Sequence, residues 1–226
     1  MYLEAVTVCV NYDDFLEQTL PFNRGRFDNM VVVTTADDKK TQKICYDHHV
    51  EFVITNRLFE DGASFNKGKA INDGINALSK KDWIVHLDAD MAVPPNLRAY
   101  LVNDMTLDPE CIYGAPRHMC TTLKEWNRYR NDHTIGSSWP YQGKVINIGV
   151  GYFQLWNSRA TTLFNQDTWY PEQYNHAGRS DRMFWRKWAA ENRRRLDVDL
   201  IHLGSDDDIR DLGVNWRGRV TPRFDH

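Results

Sequence analysis

No stretch of the 226-residue chain approaches the ~20 consecutive apolar residues that cross a bilayer. The start, Met1-Tyr2-Leu3-Glu4-Ala5, runs straight into a strand pattern. It has neither the basic nor the long apolar region of a secretory leader. Zinc-type spacing is missing too: Cys9, Cys45, Cys111 and Cys120 are scattered, with no CxxC. Reduced thiols in a cytoplasmic setting are the reading. Neither charge sign is in large excess. Lys plus Arg number 28, Asp plus Glu 31, and the net charge of −3 gives no global attraction to nucleic acid or anionic membrane. There is no G-x-x-x-x-G-K-[ST] phosphate loop, repeat, low-complexity run or linker, so one domain over residues 1–226 is expected. What the chain does have is 42% hydrophobic and 12% aromatic residues, ample for a core.

Strand patterns fall at Val6–Val10, Met30–Thr34, Val50–Ile54 and Trp83–Leu87. Between them lie a short helix capped by Asp13 or Asp14 and limited by Pro21, a helix from about Lys39 to Tyr46, and one over Lys67–Leu78. This alternation predicts an α/β fold with a mostly parallel sheet covered on both faces. Beyond a helix at Leu97–Val102 the pattern is irregular. Ile112–Ala115 and Val150–Trp156 read as strands, Ser180–Ala190 as a helix and Val198–Leu203 as a last strand. The segment from Arg117 to Lys144 is polar, aromatic and unassigned, and the tail from Ser205 has no clear period.

The most informative residues are Asp88-Ala89-Asp90, which close the apolar run Trp83–Leu87. Asp is depleted in strands and is rarely buried without a partner. In extended chain, positions i and i+2 face the same way, so both carboxylates would meet one point beyond the strand's carboxyl end. Ligands of open α/β sheets sit there, and a Mg²⁺-like cation carrying a diphosphate suits two carboxylates. The plainer reading is a polar turn at a strand end.

Four further segments carry chemistry. Asp37 and Asp38 follow the second strand, where an acid can accept hydrogen bonds from a nucleoside, and Asp38 can cap the next helix. Asn66 is a good N-cap, and Lys67 and Lys69 in the first turn favour a phosphate, or are simply solvated. Ser180 or Asp181 can cap a helix, and Asp181 can act as a general base. His202 ends an apolar strand, either as a satisfied core histidine or as a ligand completing a two-carboxylate site, which would tilt the preference toward Mn²⁺.

These elements, in this order, resemble the GT-A-type glycosyltransferases, which transfer a sugar from a nucleoside diphosphate. The likeness is strongest to the β-1,4-galactosyltransferase and polysaccharide-synthase-like branch. "FNKGKAINDGINALSKKDWIVHLDADMAVPPN" looks like the family's helix leading into its D-x-D strand. "GVGYFQLWNSRA" is similar to its acceptor-side strand, "GRSDRMFWRKW" to its catalytic helix and "LIHLG" to the segment with a late His. The likeness runs from about Val6 to Leu203, and Ser180 departs from it, since the family usually has Glu there. The resemblance implies a GT-A (Rossmann-like) sheet, a nucleotide-sugar half over residues 1–102 and an irregular acceptor half over 103–226. It implies donor contacts at Asn11, Asp37, Asn66, Lys69 and Asp88, and a Mn²⁺ or Mg²⁺ ion held by Asp88, Asp90 and His202. Asp181 would be the catalytic base of an inverting transfer from a donor such as a UDP-sugar to a hydroxyl.

The acceptor is left open. Aromatics crowd the second half, among them Trp126, Trp139, Trp156, Tyr170 and Trp188, and they suit core, sugar or base stacking. Arg117, Lys124, Arg128, Arg130, Lys144, Arg193–Arg195, Arg217, Arg219 and Arg223 are interleaved with them. A glycan acceptor and hydroxymethylated pyrimidine in phage DNA are both compatible, the latter placing the protein in a host cytoplasm. A sugar nucleotidyltransferase is disfavoured by Asn11-Tyr12-Asp13-Asp14, where a Gly-rich basic loop would be required. A non-catalytic nucleotide-sugar-binding module would keep Asp88 and Asp90 but need no base.

Overall fold

The computed structural model describes residues 1–142, 151–204 and 223–224. Strands β1 (Leu3–Val8), β2 (Asn29–Thr34), β3 (Glu51–Ile54) and β4 (Trp83–Leu87) alternate with helices α1 (Asp13–Asn23), α2 (Lys39–Asp47) and α3 (Lys67–Ala77). There follow β5 (Met91–Ala92), the short α4 (Leu97–Ala99), β6 (Ile112–Gly114), β7 (Arg117–Cys120) and α5 (Leu123–Asp132). The last elements are β8 (Tyr141–Gln142), β9 (Phe153–Asn157), α6 (Ser180–Trp185), β10 (Arg193–Arg195) and β11 (Leu200–Leu203).

The fold is mixed α/β around a central seven-stranded sheet in the order β10-β6-β9-β4-β1-β2-β3. Pairing is parallel except for β9, which runs antiparallel to both β4 and β6. Alternation along the strands builds two cores. Leu3, Ala5, Val32 and Val85 face Leu16, Leu20 and Cys45 of α1 and α2. Val6, Val8, Val31, Val33 and Ile84 face Ala70, Ile71 and Ile75 of α3. The β-branched runs in β1, β2 and β4 read as continuous rather than alternating hydrophobics because both faces of the sheet are covered.

Gly74 sets how closely α3 approaches the sheet. A Cβ there would lie 2.4 Å from Val6 Cγ2 and 2.6 Å from Val33 Cγ2. Gly74→Ala is therefore expected to destabilise the protein by about 1–3 kcal/mol through overpacking, although Ala is the better helix former. Urea unfolding checks this as a lower midpoint at unchanged slope.

A second, four-stranded sheet in the order β5-β11-β7-β8 uses strands that the sequence pattern did not separate from the first. Arg117 to Gln142, unassigned from sequence, contains β7, α5 and β8. Thr122 caps α5 through the Glu125 amide, and Trp126 and Tyr129 bury its inner face. Three further expectations are corrected. Pro21 lies inside α1 rather than ending it, because only one backbone bond near the helix end is lost. Tyr12, not Asp13 or Asp14, is the N-cap residue of α1. Helix α6 stops at Trp185, five residues short of the expected Ala190. Lys144, Gly149, Val150, Arg217, Arg219 and the tail from Ser205 to Pro222 lie outside the described residues.

Candidate active site

Asp88 leaves the carboxyl end of β4, but Asp88-Ala89-Asp90 is not extended. The Met91 amide donates to the Asp88 carbonyl at 3.1 Å, closing a turn. Helix α1 pins this turn from below. Thr19 Oγ1 donates to the Ala89 carbonyl at 2.6 Å, Asn23 Nδ2 donates to the Met91 carbonyl at 2.7 Å, and Asn23 Oδ1 accepts from the Val93 amide at 3.0 Å. The same-face argument for an extended i, i+2 pair therefore does not describe the acids, and each carboxylate has its own partner.

Asp88 faces α3. Lys67 Nζ donates to Asp88 Oδ1 at 2.6 Å and to the Gly151 carbonyl at 3.3 Å. His86 Nε2 lies 3.4 Å from the same Asp88 oxygen, with the imidazole fully buried and packed edge-on against Tyr170. Burial opposes ionisation of Asp88, but the Lys67 ammonium, helped by His86, outweighs it and holds the carboxyl well below the usual carboxylate range. Burial likewise opposes the charge on Lys67, and the carboxylates of Asp88, Asp181 and Asp90 more than restore it. Burial and Lys67 together push the His86 imidazole down, toward its neutral form.

Asp90 faces the second sheet. The two-residue β5 pairs antiparallel with β11 so that Met91 stands opposite His202. That register brings His202 Nε2 to 3.2 Å from Asp90 Oδ2, while His202 Nδ1 sits 3.1 Å from Met119 Sδ. Asp90 Oδ1 is buried and has no hydrogen-bond partner among the described residues. Among the described residues no group of three or more His, Cys, Asp or Glu side chains is arranged to hold a metal. Asp90 and His202 nevertheless fit a divalent cation: an orphaned carboxylate oxygen beside an imidazole is a donor set that phosphate oxygens and water can complete.

Asp181 lies in the first turn of α6 and presses on Gly151 so closely that a Cβ there would be 1.5 Å from Asp181 Oδ2. Its backbone is fixed from the core: Tyr170 Oη donates to Gln154 Oε1 at 2.5 Å, and Gln154 Nε2 donates to the Asp181 carbonyl at 3.0 Å. The carboxylate is partly exposed and near enough to Lys67 to bear on its charge. Ser180 is buried, its hydroxyl has no partner among the described residues, and Arg179 is the N-cap residue of α6.

The donor-side residues divide. Asp38 is the N-cap of α2, accepting from the Thr41 amide at 3.1 Å and from the Asn11 amide at 2.8 Å. Asn11 takes a left-handed backbone with φ of 59° to make that contact. Asp37 is exposed and shares a surface groove with Asn11, Lys39, Lys40 and Arg223. Asn66 caps α3 by accepting from the Lys69 amide at 3.1 Å and donates to the Glu172 carbonyl at 2.7 Å, so its amide is used within the fold. Lys69 turns outward to Glu60 and Asp61, at 2.9 and 3.4 Å.

Lys67, rather than Lys69, is the lysine beside Asp88. Val8, Val10, Tyr12 and Phe65 wall a pocket with Lys67, Asp88 and Asp90 as its charged side. Sequence reasoning did not single out Tyr12, His86 or Gly151. The available signal for His86 was a polar residue inside the apolar run of β4, where only a residue with a structural or chemical task is tolerated.

Among the described residues, several of the basic side chains take separate local partners. Arg193 donates to the Trp188 and Arg186 carbonyls, Arg194 pairs with Asp108 at 3.2 Å, and Arg195 donates to Tyr141 Oη at 2.6 Å. Arg117 stacks over Tyr152, and Arg223 pairs with Asp13 at 2.9 Å. Most of the aromatics are core: Trp126, Trp139, Trp156, Tyr170, Trp185 and Trp188 are buried.

The glycosyl transferase family 2 profile matches residues 4–190. No curated protein matches significantly. Among solved structures, glucosyl-3-phosphoglycerate synthase from Mycobacterium tuberculosis, in complex with Mn²⁺, UDP-glucose and phosphoglyceric acid, is similar at a TM-score of 0.57 and 12% identity, over 92% of this chain and 74% of that one. Its complex with Mn²⁺, UDP and glucosyl-3-phosphoglycerate gives 0.52 and 14%, over 89% and 71%. Mannosyl-3-phosphoglycerate synthase from Rubrobacter xylanophilus gives 0.42 and 20%, over 52% of this chain and only 40% of that one. At such identities the structural likeness speaks for the fold, and the profile for the family. No helix among the described residues is long and apolar enough to cross a membrane. With the profile covering most of the sheet and reaching past α6, the chain belongs to glycosyl transferase family 2 and is a glycosyltransferase domain of GT-A type.

Proposed function

We propose that this protein moves a sugar from a nucleoside diphosphate sugar, in the first instance a UDP-sugar, to an acceptor hydroxyl with inversion. The observation that carries the reading is a pocket at the carboxyl end of β4 lined by Lys67, Asp88 and Asp90, with Lys67 Nζ 2.6 Å from Asp88 Oδ1. On this reading residues 1–102 bind the donor, residues 103–226 meet the acceptor, and the chain acts as one domain. On the same reading Tyr12, which lines the pocket, and Asp37, which shares a groove with Asn11, would meet the nucleoside. Asp90 and His202 would hold the Mn²⁺ or Mg²⁺ ion, with Asp88 beside them. When bound, such an ion neutralises charge on the departing diphosphate.

Asp181 accepts the proton of the acceptor hydroxyl as that oxygen attacks the anomeric carbon from the face opposite the diphosphate. Gly151, lacking a Cβ, lets the carboxylate sit against the backbone. Tyr170 and Gln154 keep α6 in place and so fix where the proton is taken. Val8, Val10 and Phe65 give the pocket an apolar wall.

The solved UDP-glucose complex of the mycobacterial enzyme supports uridine as the nucleoside and a divalent cation as the cofactor. The galactosyltransferase-like branch rests on the sequence segments alone. For the acceptor we propose a glycan. Hydroxymethylated pyrimidine in DNA is tested by duplex binding across a salt series, where absence of salt-sensitive binding removes it. The donor is tested by thermal shift with a panel of nucleotide sugars, with and without Mn²⁺. A UDP-sugar should raise Tm only when Mn²⁺ is present, by about 2.7 kcal/mol of stabilisation at 100 times Kd. No shift with any nucleotide sugar would remove the reading.

A further inference from the structure

Lys67 is placed unusually for a lysine in the first turn of a helix. It is 9% exposed, and its ammonium lies 2.6 Å from Asp88 Oδ1 and 3.3 Å from the Gly151 carbonyl oxygen. It is held there by packing. A Cβ on the adjacent Gly68 would be 2.2 Å from the Pro171 carbonyl oxygen, and Asn66 Nδ2 donates to the Glu172 carbonyl at 2.7 Å, so the first turn of α3 packs closely against that segment. The ammonium thus stands in the pocket, beside the carboxylate that the sequence motif offers to a cation.

A divalent ion held by Asp90 and His202 would meet a like charge in this ammonium, which lines the same pocket as Asp90, and repulsion is strong in a low-dielectric site. A diphosphate reverses the balance, because its negative oxygens can face both cations at once. We propose that Lys67 is a resident counter-ion of Asp88 which opposes divalent-cation binding until a diphosphate enters, so that cation and nucleotide bind as a coupled pair. This rests on the reading of Asp90 and His202 as the cation site. Linkage makes the coupling reciprocal: the nucleotide tightens the cation by the factor by which the cation tightens the nucleotide. Lys67 acts here as a charge-balancing residue: its ammonium is paired with Asp88, and its charge bears on the cation at Asp90 and on the incoming diphosphate.

The test titrates Mn²⁺ by electron paramagnetic resonance or calorimetry, without acceptor and without turnover, in the presence and absence of UDP. In the wild type, UDP should tighten Mn²⁺ by about tenfold or more. Lys67→Met should bind Mn²⁺ alone about tenfold more tightly than wild type and lose most of the UDP effect. Lys67→Arg, which keeps the charge, should behave as wild type. Lys67→Gln removes the charge but keeps a donor for Asp88, and carries the same expectation should Lys67→Met fail to fold. Unchanged or weaker Mn²⁺ binding in a folded, charge-free variant overturns the proposal. Asp90→Asn separates it from the reading beneath it. If Asp90→Asn binds Mn²⁺ like wild type, the cation site is wrong. If it abolishes Mn²⁺ binding while the Lys67 variants show no tightening, only the role of Lys67 fails.

Discussion

Asp181→Asn is expected to lower kcat by about 10²–10⁴-fold while nucleotide affinity stays unchanged. The substitution keeps the shape of the side chain and the backbone bond from Gln154, so α6 and its packing of Phe184 against Trp156 and Tyr170 should persist. What it removes is the basic oxygen pressed against Gly151. The split between kcat and binding is the useful readout. A group acting only on proton transfer changes the barrier and not the ground-state affinity for donor. Single-turnover transfer from a bound UDP-sugar, alongside calorimetry with UDP, measures both. Persistent turnover at wild-type rate would show that another group takes the proton, and would favour neither a binding module nor Asp181 as the base.

The second large effect is at Asp90. Asp90→Asn should reduce kcat/KM by about 10³-fold or more and abolish the thermal stabilisation by UDP with Mn²⁺, since charge neutralisation of a leaving diphosphate is worth several kcal/mol. Asp90 is preferred to Asp88 for this test because of how each is engaged. Asp88 already pairs with Lys67, and removing it would leave a buried ammonium unpaired, which is destabilising in its own right. Asp90 has a buried oxygen with no hydrogen-bond partner among the described residues, so its replacement removes a candidate ligand at smaller cost to the fold. If Asp90→Asn retains cation-dependent UDP stabilisation, the ion sits elsewhere.

Much of the N-terminal half was legible from sequence. Strands read at Met30–Thr34, Val50–Ile54 and Trp83–Leu87, and the helix capped by Asn66, lie within a residue or so of where the structure places them. These elements form from local patterns: β-branched runs buried on both faces, and capping residues next to helical spacing. The irregular half was less legible. Its strands are two to five residues long, and β9 and β11 find their partners far away in the chain.

The acid pair shows where the division falls. By its residues and its position after β4, the sequence alone determined that two carboxylates lie at the mouth of an α/β sheet. Tertiary structure decided what each one meets. Asp88 turns to Lys67 and His86, and Asp90 to His202, because Met91 N closes a turn between them and β5 crosses to pair with β11. Lys67 and Lys69 sit two residues apart on one helix, and composition cannot separate them. The close packing of Gly68 against Pro171 holds the first inward, while Glu60 and Asp61 draw the second out. Periodicity and capping act over a few residues and are therefore written locally. The partner of a charge is set by which distant backbones approach within a few ångströms, and that exists only once the two sheets have packed.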